Sequence, residues 1–259
     1  MSAVEPKENE ATRGAIYAVA DNGDLLWYRH DGHSDGTAQW ANGGHAQTIG
    51  NGWNFKHIFS GGKGVVYAIA DNGDLLWYRH EGHSDGQAQW ANGGHGKTIG
   101  NGWNFRRVFS GGEGLFYAVT DNGDLLWYRH EEGADGTLEW ANGGHGKTIG
   151  NGWNFKHIFS GGDGVIFAVA ENGDLLWYRH EGLMDGSGTW ANGGHGATIG
   201  NGWNFKQIFS GGEGVIYAVA ANGDLLWYRY EEGADGTLAW ASGGHGKTVG
   251  NGWNFKRLF

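Results

Sequence analysis

The chain has 259 residues, with 53 glycines, one proline, no cysteine and a formal net charge of −10. The lack of cysteine excludes disulfides and thiol chemistry. The acidic balance argues against nucleic acid or an anionic membrane as partner, because both select basic surfaces. No apolar run approaches the ~20 residues of a membrane span, so no membrane insertion is expected.

Residues 1–13 are polar and charged, without the apolar core of a secretory signal. They are expected to form a disordered leader. The compartment stays open between the cytoplasm and release by a route that needs no signal.

From Gly14 onward the chain repeats. Asn51-Gly52-Trp53-Asn54-Phe55 returns at Asn101, Asn151, Asn201 and Asn251, always 50 residues on. A fixed period of this length marks stacked or radially arranged supersecondary units. The units are 51–100, 101–150, 151–200 and 201–250, with 14–50 and 251–259 sharing a fifth. None is long enough to bury a core alone, which favours one closed domain over 14–259. The 15 tryptophans, 12 phenylalanines and 10 tyrosines rule out a disordered glycine-rich chain.

In the unit 51–100, residues 55–59 read as a short strand ended by Ser60-Gly61-Gly62. Residues 65–70 are rich in β-branched and aromatic side chains and read as a second strand. Asn72-Gly73 suits a type I′ hairpin turn, and Leu75-Leu76-Trp77-Tyr78-Arg79-His80 reads as a third strand. A polar loop over 81–89 leads to Trp90, a glycine-rich stretch and a short fourth strand at 98–100. Four antiparallel strands per unit, without helical periodicity, predict an all-β, five-bladed β-propeller. Strands packed on both faces explain the near-continuous apolar runs.

The ends support closure. The first unit begins in its second strand at Gly14-Ala15-Ile16-Tyr17, and its missing first strand is the C-terminal segment 251–259. Pairing the two would leave no open radial edge.

Several motifs carry no chemistry. Gly93-Gly94-His95-Gly96-Lys97-Thr98 lacks the first glycine of a phosphate-binding loop, since Ala91 stands there, and no helix is predicted after it. Asp71-Asn72-Gly73-Asp74 lacks EF-hand spacing. His45, His95, His145, His195 and His245 recur without a second ligand at metal spacing in every unit. They read as loop histidines bonded to backbone, and no metal or cofactor is expected. A catalytic site is normally singular, whereas five near-equal copies point to binding, so no enzyme activity is expected.

Three tryptophans recur per unit. Trp27, Trp77, Trp127, Trp177 and Trp227 lie mid-strand and read as core. Trp53, Trp103, Trp153, Trp203 and Trp253 adjoin the first strand and are expected between blades. Trp40, Trp90, Trp140, Trp190 and Trp240 follow an Asp-Gly loop and precede Ala-Asn-Gly-Gly, or Ala-Ser-Gly-Gly in the last unit. An aromatic face beside Asp, Asn and free glycine N–H groups is what a sugar needs. A second reading, in which this tryptophan seals the gap between blades, stands equally open.

The units resemble those of the tachylectin family of five-bladed propeller lectins. The likeness lies in Ile-Gly-Asn-Gly-Trp followed by an aromatic strand, as in residues 99–109, in the strand at 214–219, and in the tryptophan after an Asp-containing loop. It spans every unit. The resemblance implies metal-free binding of N-acetylated hexosamines, such as N-acetylglucosamine and N-acetylgalactosamine, at one site per blade between neighbours. It implies as contacts Asp35, Asp85, Asp135, Asp185 and Asp235 with the tryptophans Trp40, Trp90, Trp140, Trp190 and Trp240. On chemical grounds Asn42, Asn92, Asn142 and Asn192 are added, and Ser242 implies a weaker fifth site. The family sets Asp-Asn directly before its tryptophan, whereas four residues separate Asp35 from Trp40. The resulting expectation is a monomeric, multivalent lectin for glycans ending in an N-acetylhexosamine. A protein–protein scaffold and an engineered repeat propeller are the alternatives.

Overall fold

A computed structural model describes residues 13–131, 136–231 and 235–259. Five sheets of four antiparallel strands radiate from one axis, and among the described residues the only helices are short 3₁₀ turns. In the second blade the inner strand His57–Gly62 pairs with Val65–Ile69, then Leu75–Arg79, then the outer strand Lys97–Gly100. All five residues of Val65–Ile69 are buried, because both faces of a blade lie against neighbours.

The hairpin between the second and third strands differs from expectation. Ala70 N–H donates to Asp74 O and Gly73 N–H donates to Ala70 O, both at 2.9 Å. Only Gly73, at φ +85°, takes a positive φ in this loop. That is a three-residue loop, a type I turn with a left-handed glycine behind it, where a type I′ turn needs positive φ at both central residues. Asn72 stays out of the left-handed region because its Oδ1 accepts from Asp74 N–H at 3.0 Å.

At the axis, four of the five inner strands carry a bulge at Ser-Gly-Gly, as between Ser60 and Gly62. Ser60 Oγ accepts from Gly62 N–H at 3.1 Å, and the same bond recurs at Ser110, Ser160 and Ser210. The four bulges line a central cavity of about 270 Å³.

The ring closes as expected. The C-terminal strand Arg257–Leu258 pairs with Ala15–Val19, and Tyr17 N–H donates to Phe259 O at 2.9 Å. Arg13 already belongs to the body, with Nη2 3.0 Å from Glu213 Oε1. The core is a circuit of apolar clusters between blades. One joins Trp27 and Ile49 of the first blade to Val66 and Ala68 of the second. Another joins Tyr217 and Trp227 of the last blade to Ile16, Trp253 and Leu258. Trp53 and its equivalents pack between blades as expected: Trp53 clusters with Trp27 and Ile49 of the first blade, and its backbone N–H donates to Gly23 O there at 2.9 Å. Burial of a large side chain in such a cluster contributes roughly 1.5–3 kcal/mol.

Candidate junction clefts

The loop that follows each third strand reaches back to the preceding blade. Trp27 Nε1 donates to His83 O at 3.0 Å and Arg29 Nη1 to Ser84 O at 2.7 Å. Trp127 and Trp227 bond Leu183 O and His33 O in the same way. Gly86, at φ +78°, lies flat on Trp27, and a Cβ there would overlap the indole ring. Every junction mouth is thus framed by a tryptophan and an arginine from one blade and by the loop of the next.

The loop aspartates organise that loop. The carboxylates of Asp35, Asp85 and Asp185 accept from the backbone N–H of Thr37, Gln87 and Ser187 at 2.9–3.0 Å. These bonds hold the carboxyls of Asp35 and Asp185 below the usual range. Asp235 instead accepts from Arg179 Nη1 at 2.9 Å, and Asp135 lies outside the described residues.

Asn42, Asn92, Asn142 and Asn192 occupy the 3₁₀ turn at φ 53–55°, and Ser242 at 56°. Asn suits this left-handed position better than most residues. Their side chains are exposed. The asparagine therefore shapes the turn, and Asn42 O accepts from His45 N–H at 3.2 Å. The His45 series stands exposed beyond it, and among the described residues no three His or acidic groups gather as metal ligands.

Trp40 and its equivalents are half-buried seals. Trp40 Nε1 donates to Val249 O of the preceding blade at 2.7 Å, and Trp90, Trp140, Trp190 and Trp240 repeat the bond at 2.7–2.8 Å. The Trp40 ring packs 4.6 Å from His30 and 5.3 Å from Trp253.

Aspartate and tryptophan of one unit thus reach the junction with the preceding unit, whose asparagine comes to meet them. Asn192 and Asp235 line a single cavity of about 460 Å³, together with Trp177 and Arg179. Asn92 lines its counterpart of about 500 Å³ with Trp77, Arg79 and Lys97. The seal tryptophans Trp90, Trp190 and Trp240 do not line these two cavities. The mid-strand Trp77 and Trp177 line them instead, although each is only 2% exposed.

Sequence reading missed the arginines Arg29, Arg79, Arg129, Arg179 and Arg229, and a buried histidine series. Nε2 of His30, His80, His130 and His180 donates to a carbonyl of its own loop at 2.6–2.8 Å. A carbonyl only accepts, so Nε2 carries the proton and Nδ1 accepts. Its donor is a tyrosine hydroxyl of the preceding blade, Tyr217, Tyr17, Tyr67 or Tyr117, at 2.7–3.5 Å. Burial lowers all four histidine pKa values. The fifth copy is Tyr230, and its partner is Phe167 where the other units have tyrosine. That paired exception in adjacent units was the signal available in the sequence.

The Tachylectin family model matches residues 10–146 and 134–259. The chain belongs to the Tachylectin family. No curated protein matches it. Among solved structures, it resembles one described by the words "the de novo evolutionary emergence of a symmetrical protein is shaped by folding constraints". The TM-score is 0.61 at 23% identity, over 95% of this chain and 97% of that one. AofleA from Arthrobotrys oligospora matches at TM-score 0.46 and 12% identity, over 95% of this tachylectin-family chain and 70% of its own. Yeast RCC1 (Prp20), solved bound to Kap60, matches at 0.42 and 11%, over 92% and 59%. The first of these likenesses shows the fold alone. Among the described residues no helix is long and apolar enough to cross a membrane.

Proposed function

We propose that the protein is a multivalent lectin that binds N-acetylated hexosamines at the five blade junctions. The supporting observation is the meeting of an exposed asparagine from one unit with the aspartate of the next beside a mid-strand tryptophan, as in the Asn192–Asp235–Trp177 cavity. Its volume of about 460 Å³ falls within the ~300–1,000 Å³ of small-ligand sites. Family membership supports glycan binding, and a binding protein rather than a catalyst. The contacts are then Asp85 and Trp90 with Asn42, and likewise Asp135, Trp140 and Asn92; Asp185, Trp190 and Asn142; Asp235, Trp240 and Asn192. Asp35 and Trp40 meet Ser242, which makes that junction the weakest. In this reading Trp177 supplies the aromatic surface of the cavity, and the seal tryptophan Trp240 closes the junction beside it, its indole N–H held by Ile199 O of the neighbouring blade.

One such site binds weakly. Five on one monomeric body raise avidity by ~10²–10⁴ when a dense glycan surface matches their spacing. Isothermal titration with N-acetylglucosamine and N-acetylgalactosamine, with glucose as control, tests this. Heat from an acetylated sugar alone, at a stoichiometry near five, is expected; no heat from either sinks the reading.

A second reading has its own observation. Leu138, Met184 and Leu238, on the loops of three consecutive units, are 71–73% exposed. Exposed apolar side chains repeated on successive units suit a protein partner. Saturation by one protein with no effect of sugar would favour it.

A further inference from the structure

The five clefts are not equivalent, and the difference is one of charge. At three junctions a lysine at the start of the outer strand lays its ammonium over the framing tryptophan. Lys97 Nζ is 5.3 Å from the Trp77 ring centre, Lys147 5.7 Å from Trp127 and Lys247 5.3 Å from Trp227. Such a placement is attractive because the aromatic face is electron-rich. Lys147 and Lys247 also donate to the main-chain oxygens of Asp185 and Asp35 at 2.6 Å, tying the cleft to the next loop.

In the first unit that position is Gln47, a neutral chain of similar length. In the fourth it is Ala197, which is too short to bring anything over Trp177. The cavity at that junction carries one guanidinium, Arg179, and three carboxylates, Asp163, Glu181 and Asp235. The counterpart cavity that holds Lys97 carries two cations, Arg79 and Lys97, against the single carboxylate of Glu81 among the described residues. Arg179 is already taken by Asp235 at 2.9 Å. Neither Asp163 nor Glu181 has an ion-pair partner among the described residues.

We propose that the cleft between the fourth and fifth blades prefers an amino sugar with a free ammonium group, binding a 2-amino-2-deoxyhexose more tightly than its N-acetyl form. The ligand supplies the cation that the chain supplies as lysine elsewhere. Its ammonium takes the place over Trp177 that Lys97 Nζ takes over Trp77, with Glu181 and Asp163 as counter-charges, and Asn192 meets the ring hydroxyls. The inference rests on the lectin reading of these clefts and goes beyond it by giving this one cleft a different preferred ligand.

The test titrates glucosamine, N-acetylglucosamine, glucose and lysine amide into the isotope-labelled full chain, following the indole N–H resonances. It is repeated on Ala197→Lys, which installs the residue that the second, third and fifth units already carry and therefore folds. Glucosamine is expected to shift Trp177 at one site, more tightly than glucose. Ala197→Lys is expected to weaken that binding about tenfold, the effect of ~1.4 kcal/mol, and to leave N-acetylglucosamine binding at the other junctions unchanged. The proposal is overturned if glucosamine binds no better than glucose at Trp177, or if Ala197→Lys does not weaken it. Lysine amide matching glucosamine also overturns it, because the cleft would then read an ammonium without a sugar. N-acetylglucosamine binding alongside a failed glucosamine titration overturns this inference alone; failure of both sugars overturns the lectin reading with it.

Discussion

The inside of a junction and its mouth belong to the same pair of blades but tolerate different amounts of change. Inside, the ring of Trp53 stands 4.8 Å from Tyr78, and the four equivalent pairs repeat this at 4.6–4.8 Å. At the mouth the loop reads His33-Ser34-Asp35 in one unit and Leu183-Met184-Asp185 in another. Position 47 runs through Gln47, Lys97, Lys147, Ala197 and Lys247. Close-packed rings leave no room for another volume, whereas a side chain at the mouth ends in water. Stability and recognition are therefore carried by neighbouring but separable residues.

The sharpest way to break that contrast is to open the ring. Deleting residues 251–259 removes Trp253, Leu258 and the strand that covers Ala15–Val19. Loss of two such buried side chains costs roughly 5 kcal/mol or more, comparable to the whole stability of many domains, and it bares a strand edge. The expected outcome is a chain that is unfolded or associated in sedimentation velocity; a stable monomer would show that closure matters little. Next in size, Trp103→Ala empties one junction. A loss of about 3–5 kcal/mol in denaturant unfolding is expected. Sugar sites at junctions remote from Trp103 are expected to survive it.

The histidine–tyrosine bonds sharpen the contrast through pH. Burial holds the pKa of His30, His80, His130 and His180 below the unfolded value of about 6.5. Above that value both states are neutral and the stability is fully present. As pH falls below it, the unfolded chain takes up protons that the folded chain refuses, so stability drops until the folded pKa values are reached. Melting temperature is expected to fall between pH 7 and 5. The junction of Phe167 with Tyr230 is exempt. Tyr230→His alone would place an unpartnered Nδ1 against Phe167 and cost about 1–3 kcal/mol. Adding Phe167→Tyr should recover most of that and increase the acid sensitivity. Additive effects in the double-mutant cycle would refute the pairing.

The architecture was legible because the 50-residue period and the split first unit are features of the chain itself. The hairpin at Ala70 was misread because Asn-Gly suits a type I′ turn, while the bond from Asp74 N–H to Asn72 Oδ1 selects the longer loop. The cleft was only half legible. Asp85 and Trp90 are neighbours in sequence and reach the same junction, but Asn42 and Arg29 come to it from the preceding unit, and no spacing within a unit announces that. Trp77 and Trp177 were read as core on their strand position. That holds for their burial and misses that they also line the cavities.

The smallest expected effect on stability is also the most telling for function. Asp85 is exposed, and its carboxylate accepts one backbone N–H, from Gln87 at 3.0 Å. Changes at such surface positions generally stay within about 0.5 kcal/mol, so Asp85→Ala should barely move the melting temperature. If the mouth is where sugar is held, the same change removes one site, and the stoichiometry for the acetylated sugar falls from near five to near four. A second consequence follows from mass action, since a ligand that binds only the folded chain raises its melting temperature. Saturating sugar should raise that of Asp85→Ala less than that of the unaltered chain. Unchanged stoichiometry with an unchanged melting temperature would mean that Asp85 only shapes its own loop, and recognition would then have to move to the asparagine and arginine contributed by the preceding blade.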